Sequence, residues 1–461
     1  MTSAEPKRKA FSLYSTFYSI IAAIGGFLFG YDTAVISGAV GFIKERFDLN
    51  AGMTGWMVSS LVVGAAAGAA ASGVISDKFG RKKVLMAAAL IFVVGSVGSA
   101  LASTVTGLII ARMVGGIGVG MASTLAPLYI SEIAPSRIRG RLVSIYQFAV
   151  VTGIFVTFFV NAAIAGIGDD AWDVSTAWRW MLGFGVAPGI LYMLLLLLTP
   201  ETPRWLMKNK QEVRALEVLE RMNGKQAAKS ELEEIMNLKV DESGSIKELF
   251  GSSLRLPLIV GVALAILQQI TGINAIMYYA PEIFKQTGAG TDAALTQTIL
   301  VGLVNFAFTL IALWLIDKVG RKALLLVGST LMTICLFAVG YGFHSPDVPG
   351  HLILFFILLY VASFAVSLGP VVWVMISEIF PTRIRGRATA VAAFCLWLAD
   401  YVVSQTFPML LEGIGTAATF WSFAVISLVT VVFCAKVVPE TKGRSLEEIE
   451  KLWTSGSRDK V

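Results

Sequence analysis

The stretch Ser131-Glu132-Ile133-Ala134-Pro135-Ser136-Arg137-Ile138-Arg139-Gly140-Arg141 returns as Ser377-Glu378-Ile379-Phe380-Pro381-Thr382-Arg383-Ile384-Arg385-Gly386-Arg387, with nine of eleven positions identical. The same doubling holds for Asp77-Lys78-Phe79-Gly80-Arg81-Lys82, which returns from Asp317 to Lys322, and for Pro200-Glu201-Thr202, which returns at Pro439-Glu440-Thr441. The offsets are 246, 240 and 239 residues. A near-constant offset over three motifs marks duplication of one structural unit. Each motif is polar and lies between long apolar runs, so the duplicated unit is a set of membrane helices joined by charged turns.

Composition supports that reading. Hydrophobic residues make up 56% of the 461-residue chain and charged residues 15%, with a mean hydropathy of +0.74. A soluble domain carries about 25% charge, so this chain cannot cover a water-facing surface of its size. The 44 glycines and 28 phenylalanines suit helices packed closely in lipid. A spanning helix needs about 20 mostly apolar residues. Twelve segments qualify: 16–39, 53–75, 84–103, 108–131, 142–164, 180–198, 257–279, 296–316, 323–342, 352–377, 388–411 and 419–438. The expected fold is all-α and integral to the membrane, with two six-helix pseudo-repeats. Residues 15–199 form the N-terminal bundle, 200–255 a cytoplasmic linker, 256–438 the C-terminal bundle and 439–461 a cytoplasmic tail.

An even number of spans puts both ends on one side, and positive charge says which. All but five of the 37 Lys and Arg residues lie at the N-terminus, in the tail or in alternate connections. Lys44, Arg46, Arg179 and Lys285 fall on the opposite side and Arg112 within a span. That asymmetry assigns both termini to the cytoplasm. It also accounts for the pI near 9.1 without nucleic acid. Lys7, Arg8 and Lys9 precede an apolar run of full spanning length, which reads as a retained first helix and not a cleaved signal. Cys335, Cys395 and Cys434 all fall in apolar stretches, an odd set that implies no disulfide framework. The two histidines, His344 and His351, share one connection and suggest no metal site.

Within 200–255, Thr202-Pro203 reads as a cap followed by proline at the first helical position. Ser230-x-x-Glu233 and Ser245-x-x-Glu248 read as capping boxes, and Val213, Leu216, Leu219 and Met222 recur at helical spacing. The pattern predicts short amphipathic helices and is equally compatible with a loosely ordered linker.

The motifs together resemble the sugar porter family of the major facilitator superfamily. Those carrying the resemblance are Asp77-Lys-Phe-Gly-Arg-Lys and its copy at Asp317, Pro200-Glu-Thr-Pro-Arg204-Trp205, Gln268-Gln269-Ile-Thr-Gly272-Ile-Asn274 and Pro439-Glu-Thr-Lys-Gly443. The resemblance runs from about residue 15 to residue 450 and is to bacterial proton-coupled hexose and pentose symporters in particular. It implies alternating access by two rocking bundles, a sugar-sized substrate and the proton as coupling ion, with no cofactor.

Two ionisable residues stand inside spans: Asp32, in Phe29-Gly-Tyr-Asp-Thr, and Arg112, in Ile-Ala-Arg-Met-Val-Gly. If the first span ends near residue 39, Asp32 lies about 10 Å below the outer end, and Arg112 about 6 Å below it on the fourth span. They are at compatible depths for pairing. One reading is a proton switch, in which Arg112 holds the ionised aspartate and is released when Asp32 takes a proton. The other is a static ion pair tying two helices together. The resemblance favours the switch, because proton-coupled relatives carry an acid there. Asp400, in Trp397-Leu-Ala-Asp-Tyr401, is a second acid within a span where relatives often have asparagine. It either contacts substrate hydroxyls or bonds a neighbouring helix.

A sugar offers hydroxyls and apolar C–H faces; amides suit the first and indole the second. Midspan amides are Gln147, Asn161, Gln268, Gln269, Asn274 and Asn305, with Gln147, Ile154 and Asn161 spaced by seven on one helical stripe. Gly272 beside three of them suggests a bendable seventh helix. By resemblance, Gln147, Gln268, Gln269, Asn274, Asn305 and Trp373 match sugar-contacting positions, Trp397 a cavity wall, and Tyr278 and Tyr279 an external gate. Trp373 follows Gly369-Pro370, a break in the tenth helix. The resemblance also makes Asp77, Arg81, Glu132, Arg139, Asp317, Arg321, Glu378 and Arg385 a cytoplasmic latch between the bundles. Ile154 and Leu396 depart from the family's amides and leave the sugar open among glucose, galactose, xylose, arabinose and inositol. Gly64, Gly68 and Ser72, like Gly116 and Gly120, read as helix-packing seams.

The expected function is therefore proton-coupled monosaccharide symport, with Asp32 and Arg112 as the coupling pair. Alternatives are a facilitative uniporter and a transporter-like sugar sensor. No paired acids, Ser/Lys dyad or His-rich cluster suggests an enzyme. The expected setting is a lipid bilayer, as a monomer in a bacterial inner membrane, with sugar and protons as partners and no nucleic acid.

Overall fold

The computed structural model describes residues 4–135, 138–237, 254–380 and 384–442, with Leu249 and Gly251. Every regular element among them is helical. Twelve helices are long and apolar enough to cross a membrane: Leu13–Phe47, Ala51–Phe79, Arg81–Leu101, Val105–Ile133, Arg139–Ala165, Asp170–Leu197, Arg255–Lys285, Thr291–Ile316, Arg321–His344, Gly350–Ile379, Gly386–Gly413 and Thr416–Lys436. Each predicted apolar run overlies one of them; they are called spans 1 to 12 below.

Span 1 is longer than its apolar run. It continues to Phe47 with Lys44 and Arg46 in its last turn, where cations complement the helix dipole. The apolar run marks where lipid ends and says nothing about where helix ends. Asp32 therefore lies near the middle of the span 1 helix, about 22 Å from its last residue, because the helix runs on past the end of the apolar run.

Two compact units make up the chain. The first comprises 1–33, 60–157 and 179–240; the second comprises 34–59, 158–178 and 241–461. In the first, spans 2 and 4 meet backbone to backbone. A Cβ on Gly64 would collide with the Met113 carbonyl oxygen, and one on Gly120 with that of Ala65. The predicted glycine seam is that contact. In the second unit, the parts of spans 1 and 2 predicted to face the exterior meet span 11, span 1 through the Lys44–Glu412 ion pair at 3.8 Å and span 2 through Gln405. There the Gln405 amide donates to the Gly52 carbonyl at 2.9 Å, and Ser59 donates to Gln405 at 3.1 Å.

Spans 7 and 10 are broken. Span 7 is helical over Arg255–Ile270 and Ile273–Lys285, with Gly272 between them at φ 94. A second kink falls at Tyr279 (φ −125, ψ 17), two residues before Pro281. Span 10 is helical over Gly350–Val366 and Leu368–Ile379, with Ser367 at φ −119, ψ −96. Pro370 has no N–H for the carbonyl of Val366, and its ring crowds that carbonyl, so the first half stops at Val366. The break expected at Gly369-Pro370 thus falls two residues earlier.

Three short helices follow the first six spans: Pro203–Lys208, Glu212–Asn223 and Lys225–Asn237. Thr202 is the N-cap residue of the first, with proline at its start as the sequence predicts. Ser230 lies inside the third helix, so Ser230-x-x-Glu233 is not a helix start. Gly224, at φ 82, already separates the second helix from the third. Ser245-x-x-Glu248 lies outside the described residues. The buried stripe of the second helix is Ala215, Leu219 and Met222, at 0%, 1% and 1% exposure, while Val213 is 74% exposed. An alanine, not the valine, completes that face.

Candidate functional site

The breaks in spans 7 and 10 free a set of polar side chains within the second unit. Gln268, on the last turn before Gly272, donates its amide to the carbonyls of Leu368 (2.7 Å) and Gly369 (3.0 Å), at the start of the second half of span 10. Gln269 donates to the Gln268 side-chain oxygen at 3.4 Å, and Asn274 donates to that of Gln269 at 2.7 Å. Asn274 also hydrogen-bonds Asp400 on span 11. Tyr278, one turn beyond Asn274, donates to Asp400 at 3.2 Å, and Ser404 donates to its other oxygen at 3.0 Å. Tyr279 donates to the Ser404 carbonyl at 2.9 Å. One chain of hydrogen bonds therefore runs from span 10 through both sides of the span 7 break to span 11.

That chain brings together Gln268, Gln269, Asn274, Tyr278 and Tyr279 from the sequence-predicted set. Gln268 and Gln269 are buried at 3% and 7% exposure. Amides that donate and accept along a line can re-pair with sugar hydroxyls without leaving a partner unsatisfied. Asn305 is buried on span 8, Trp397 is half-buried on span 11, and Trp373 is 40% exposed on span 10. Gln147, half-buried on span 5, belongs to the first unit. Asn161, the other amide of the span 5 stripe, donates to the Val35 carbonyl at 3.2 Å and holds span 1 to span 5.

In the first unit, Arg112 is 3% exposed and exerts an electrostatic pull on Asp32. Asp32 lies against span 4: a Cβ on Gly115 would stand 4.0 Å from its carboxylate, at ordinary contact distance. Its neighbour Tyr31 donates to the Met181 carbonyl at 2.7 Å, fixing the rotation of span 1. Spans 1 and 4 thus bring the two sequence-predicted charges into one buried neighbourhood.

The duplicated motifs form two copies of one charged knot. Arg81 pairs with Asp77 at 3.0 Å and with Glu132 at 3.2 Å, and Arg321 pairs with Glu378 at 2.9 Å. Each knot closes inside its own unit. Gly80 and Gly320, at φ 97 and φ 106, turn the chain sharply before spans 3 and 9. A carboxylate then caps each new helix. Glu201 accepts from the N–H of Arg81 (2.9 Å) and of Lys82 (3.2 Å). Glu440 accepts from those of Arg321 (3.0 Å) and Lys322 (3.1 Å). Burial pushes the Glu201 carboxyl above the usual range, against the pull of the N–H groups of Thr202, Lys82 and Arg81. Arg139 turns back to the Ala134 carbonyl at 3.4 Å. The side chains of Asp317 and Arg385 lie outside the described part of the chain.

Three groups carry more of this geometry than their sequence context suggests: Asp400 as the hub of the second unit's network, the capping pair Glu201 and Glu440, and Gln405. The repeat of Pro-Glu-Thr was the available signal for the capping pair. Nothing in the sequence pointed to Gln405. Among the described residues, no group of three or more His, Cys, Asp or Glu is arranged to hold a metal ion.

Known proteins share this architecture. The family profile described as "Sugar (and other) transporter" matches residues 18–453. The chain is 48% identical to the arabinose-proton symporter of Bacillus subtilis (strain 168) over 436 residues, 94% of each protein. It is 41% identical to the D-xylose-proton symporter of Escherichia coli (strain K12) over 477 aligned residues, 96% of each. A partially occluded inward-open structure of the xylose transporter XylE from E. coli superposes with a TM-score of 0.84 at 38% identity, covering 94% of this chain and 100% of that one.

Proposed function

The chain belongs to the Sugar (and other) transporter family, and from that premise we propose that it is a proton-coupled monosaccharide symporter that takes up a pentose or hexose by alternating access. The observation that carries the reading is Asp32 on the middle of span 1, next to Gly115 and within the field of buried Arg112. A lone charge inside the membrane costs up to about 2.5–3.5 kcal/mol at its centre and less nearer the surface, so helices keep one there for a partner or a task. With the aspartate ionised, the pair neutralises itself. With a proton bound, Arg112 loses its counter-charge and spans 1 and 4 favour a different arrangement. Sugar binding selects among those arrangements through the amides of span 7.

The sugar contacts in this reading are Gln147, Gln268, Gln269, Asn274, Asn305, Trp373 and Trp397, with Tyr278 and Tyr279 as the gate. The charged knots around Arg81 and Arg321 are the latch on the cytoplasmic side, and both termini face the cytoplasm. The protein works as a monomer in the cell membrane and leaves the sugar chemically unchanged; no cofactor takes part.

The test is uptake of radiolabelled arabinose, D-xylose, galactose and glucose into proteoliposomes, with and without an inward proton gradient. At least one sugar is expected to accumulate uphill in the wild type only when the gradient is present. Asp32→Asn is expected to lose accumulation and keep sugar exchange. Equal uptake with and without the gradient, in both proteins, would make the chain a uniporter with a structural Asp32–Arg112 pair.

A further inference from the structure

Asp400 is 2% exposed inside span 11, and its three hydrogen-bond partners, Tyr278, Ser404 and Asn274, are all neutral. Spans 7, 10 and 12 pack against span 11. Span 2 reaches Tyr401 edge-on through Trp56, with ring centroids 6.3 Å apart. From all of these, Tyr278 is the one titratable group that touches Asp400, and among the described residues no charged group acts on it electrostatically. The contrast with Asp32 is chemical. Arg112 keeps its positive charge and can only donate, so a proton on Asp32 cancels the charge that faces it. The hydroxyls of Tyr278 and Ser404 both donate and accept. They hold the Asp400 carboxylate as donors, and one of them turns to accept when the carboxyl carries a proton. The site takes either form with its heavy atoms in place.

Asn274 ties this carboxyl to the candidate sugar amides. Its amide group has two N–H bonds; one goes to Gln269 at 2.7 Å and it also hydrogen-bonds Asp400. A sugar hydroxyl that engages Asn274 withdraws a donor from Asp400. Loss of that donor favours the neutral acid, because the remaining partners serve it as well as they serve the anion.

We propose that Asp400 is a second proton-binding site, separate from Asp32, which takes up a proton as the sugar engages Asn274. The proposal rests on the symport reading above. The step is protonation of a carboxylate by a proton from water; no bond in the sugar changes. By linkage, a sugar that binds together with a proton binds more tightly as pH falls.

The experiment uses the full chain with Asp32→Asn, which removes the first proton site, and follows binding of radiolabelled D-xylose and arabinose against pH. Affinity is expected to tighten as pH falls, by up to about tenfold per pH unit, the limit for one linked proton. Asp32→Asn combined with Asp400→Asn is expected to bind sugar with no such slope. Tyr278→Phe on the Asp32→Asn background keeps the carboxylate and removes one donor, so the pH of half-change is expected to move up. Sugar-induced infrared difference spectra of the Asp32→Asn protein add a direct readout. A protonated-carboxyl band is expected to appear with sugar, and to be absent from the double variant. A flat pH profile in Asp32→Asn, or a slope or band that survives in the double variant, overturns the proposal. Failure of the symport reading shows separately, as wild-type vesicles that never accumulate sugar on a gradient.

Discussion

The side-chain amide of Gln405 on span 11 donates to the backbone carbonyl of Gly52 at 2.9 Å, joining segments 353 residues apart in sequence. One turn further along span 2, a Cβ on Gly55 would collide with the Gln405 carbonyl oxygen. That approach exists only while the ends of spans 2 and 11 are together. Gly55→Leu is expected to hold them apart and to lower net sugar uptake at least about tenfold, about 1.4 kcal/mol or more, while sugar still binds. Uptake and equilibrium binding on the same preparation check this; equal losses in both would mean general misfolding.

Gln268 connects the two broken helices, so its removal reports on the site as a whole. Gln268→Ala removes the donor to the Leu368 and Gly369 carbonyls. A net hydrogen bond contributes about 0.5–1.5 kcal/mol, so sugar affinity is expected to fall about twofold to tenfold for each bond the glutamine makes to the sugar. Isothermal binding with the transported sugar measures it, and an unchanged affinity would remove Gln268 from the site.

Gly272→Ala tests the span 7 break. The residue sits at φ 94, and an added Cβ would stand 2.6 Å from the Phe423 ring. Backbone strain of this kind costs about 1–2 kcal/mol before the clash is counted. The expected outcome is a lower melting temperature and slower exchange; the same substitution at exposed Gly140, where nothing lies within 4 Å, is the control.

Glu201 gives a pH-dependent prediction. Its carboxyl is held above the usual range by burial, so the folded protein keeps that proton to higher pH than the unfolded chain. Its contribution to stability is full below the ordinary carboxylate range and declines as pH rises through the folded value. Melting curves at mildly acidic and neutral pH are expected to separate more for the wild type than for Glu201→Gln, which keeps an acceptor and cannot titrate. Glu201→Ala, which leaves two helix-start N–H groups without their acceptor, is expected to cost about 1 kcal/mol for the lost cap, with the larger loss at mildly acidic pH, and to flatten the pH dependence as Glu201→Gln does.

The spans were legible because hydrophobic length is a local property, and the duplication because polar turns keep their letters when helices diverge. The break at Gly272 was legible for the same reason: one residue carries it. What remained hidden was pairwise. Asp400 was visible as an acid in a span, but its bond from Tyr278 crosses a separation of 122 residues. Gln405 was hidden more fully, since a glutamine in a membrane helix reads as ordinary interhelical chemistry. The end of span 1 was misplaced because lipid and helix stop at different residues.

The caps on spans 3 and 9 come late in the chain. The N–H of Arg81 waits for Glu201, 120 residues on, and that of Arg321 for Glu440, 119 residues on. During synthesis, then, each six-helix half leaves the ribosome with the start of its third helix unanchored, and gains its anchor only as the half is finished. A nascent chain released just short of Pro200 lacks the carboxylate that a chain released just past Thr202 already carries. In chain order, the anchor of each repeat sits among that repeat's last few residues, and the anchor of the first repeat precedes the seventh span.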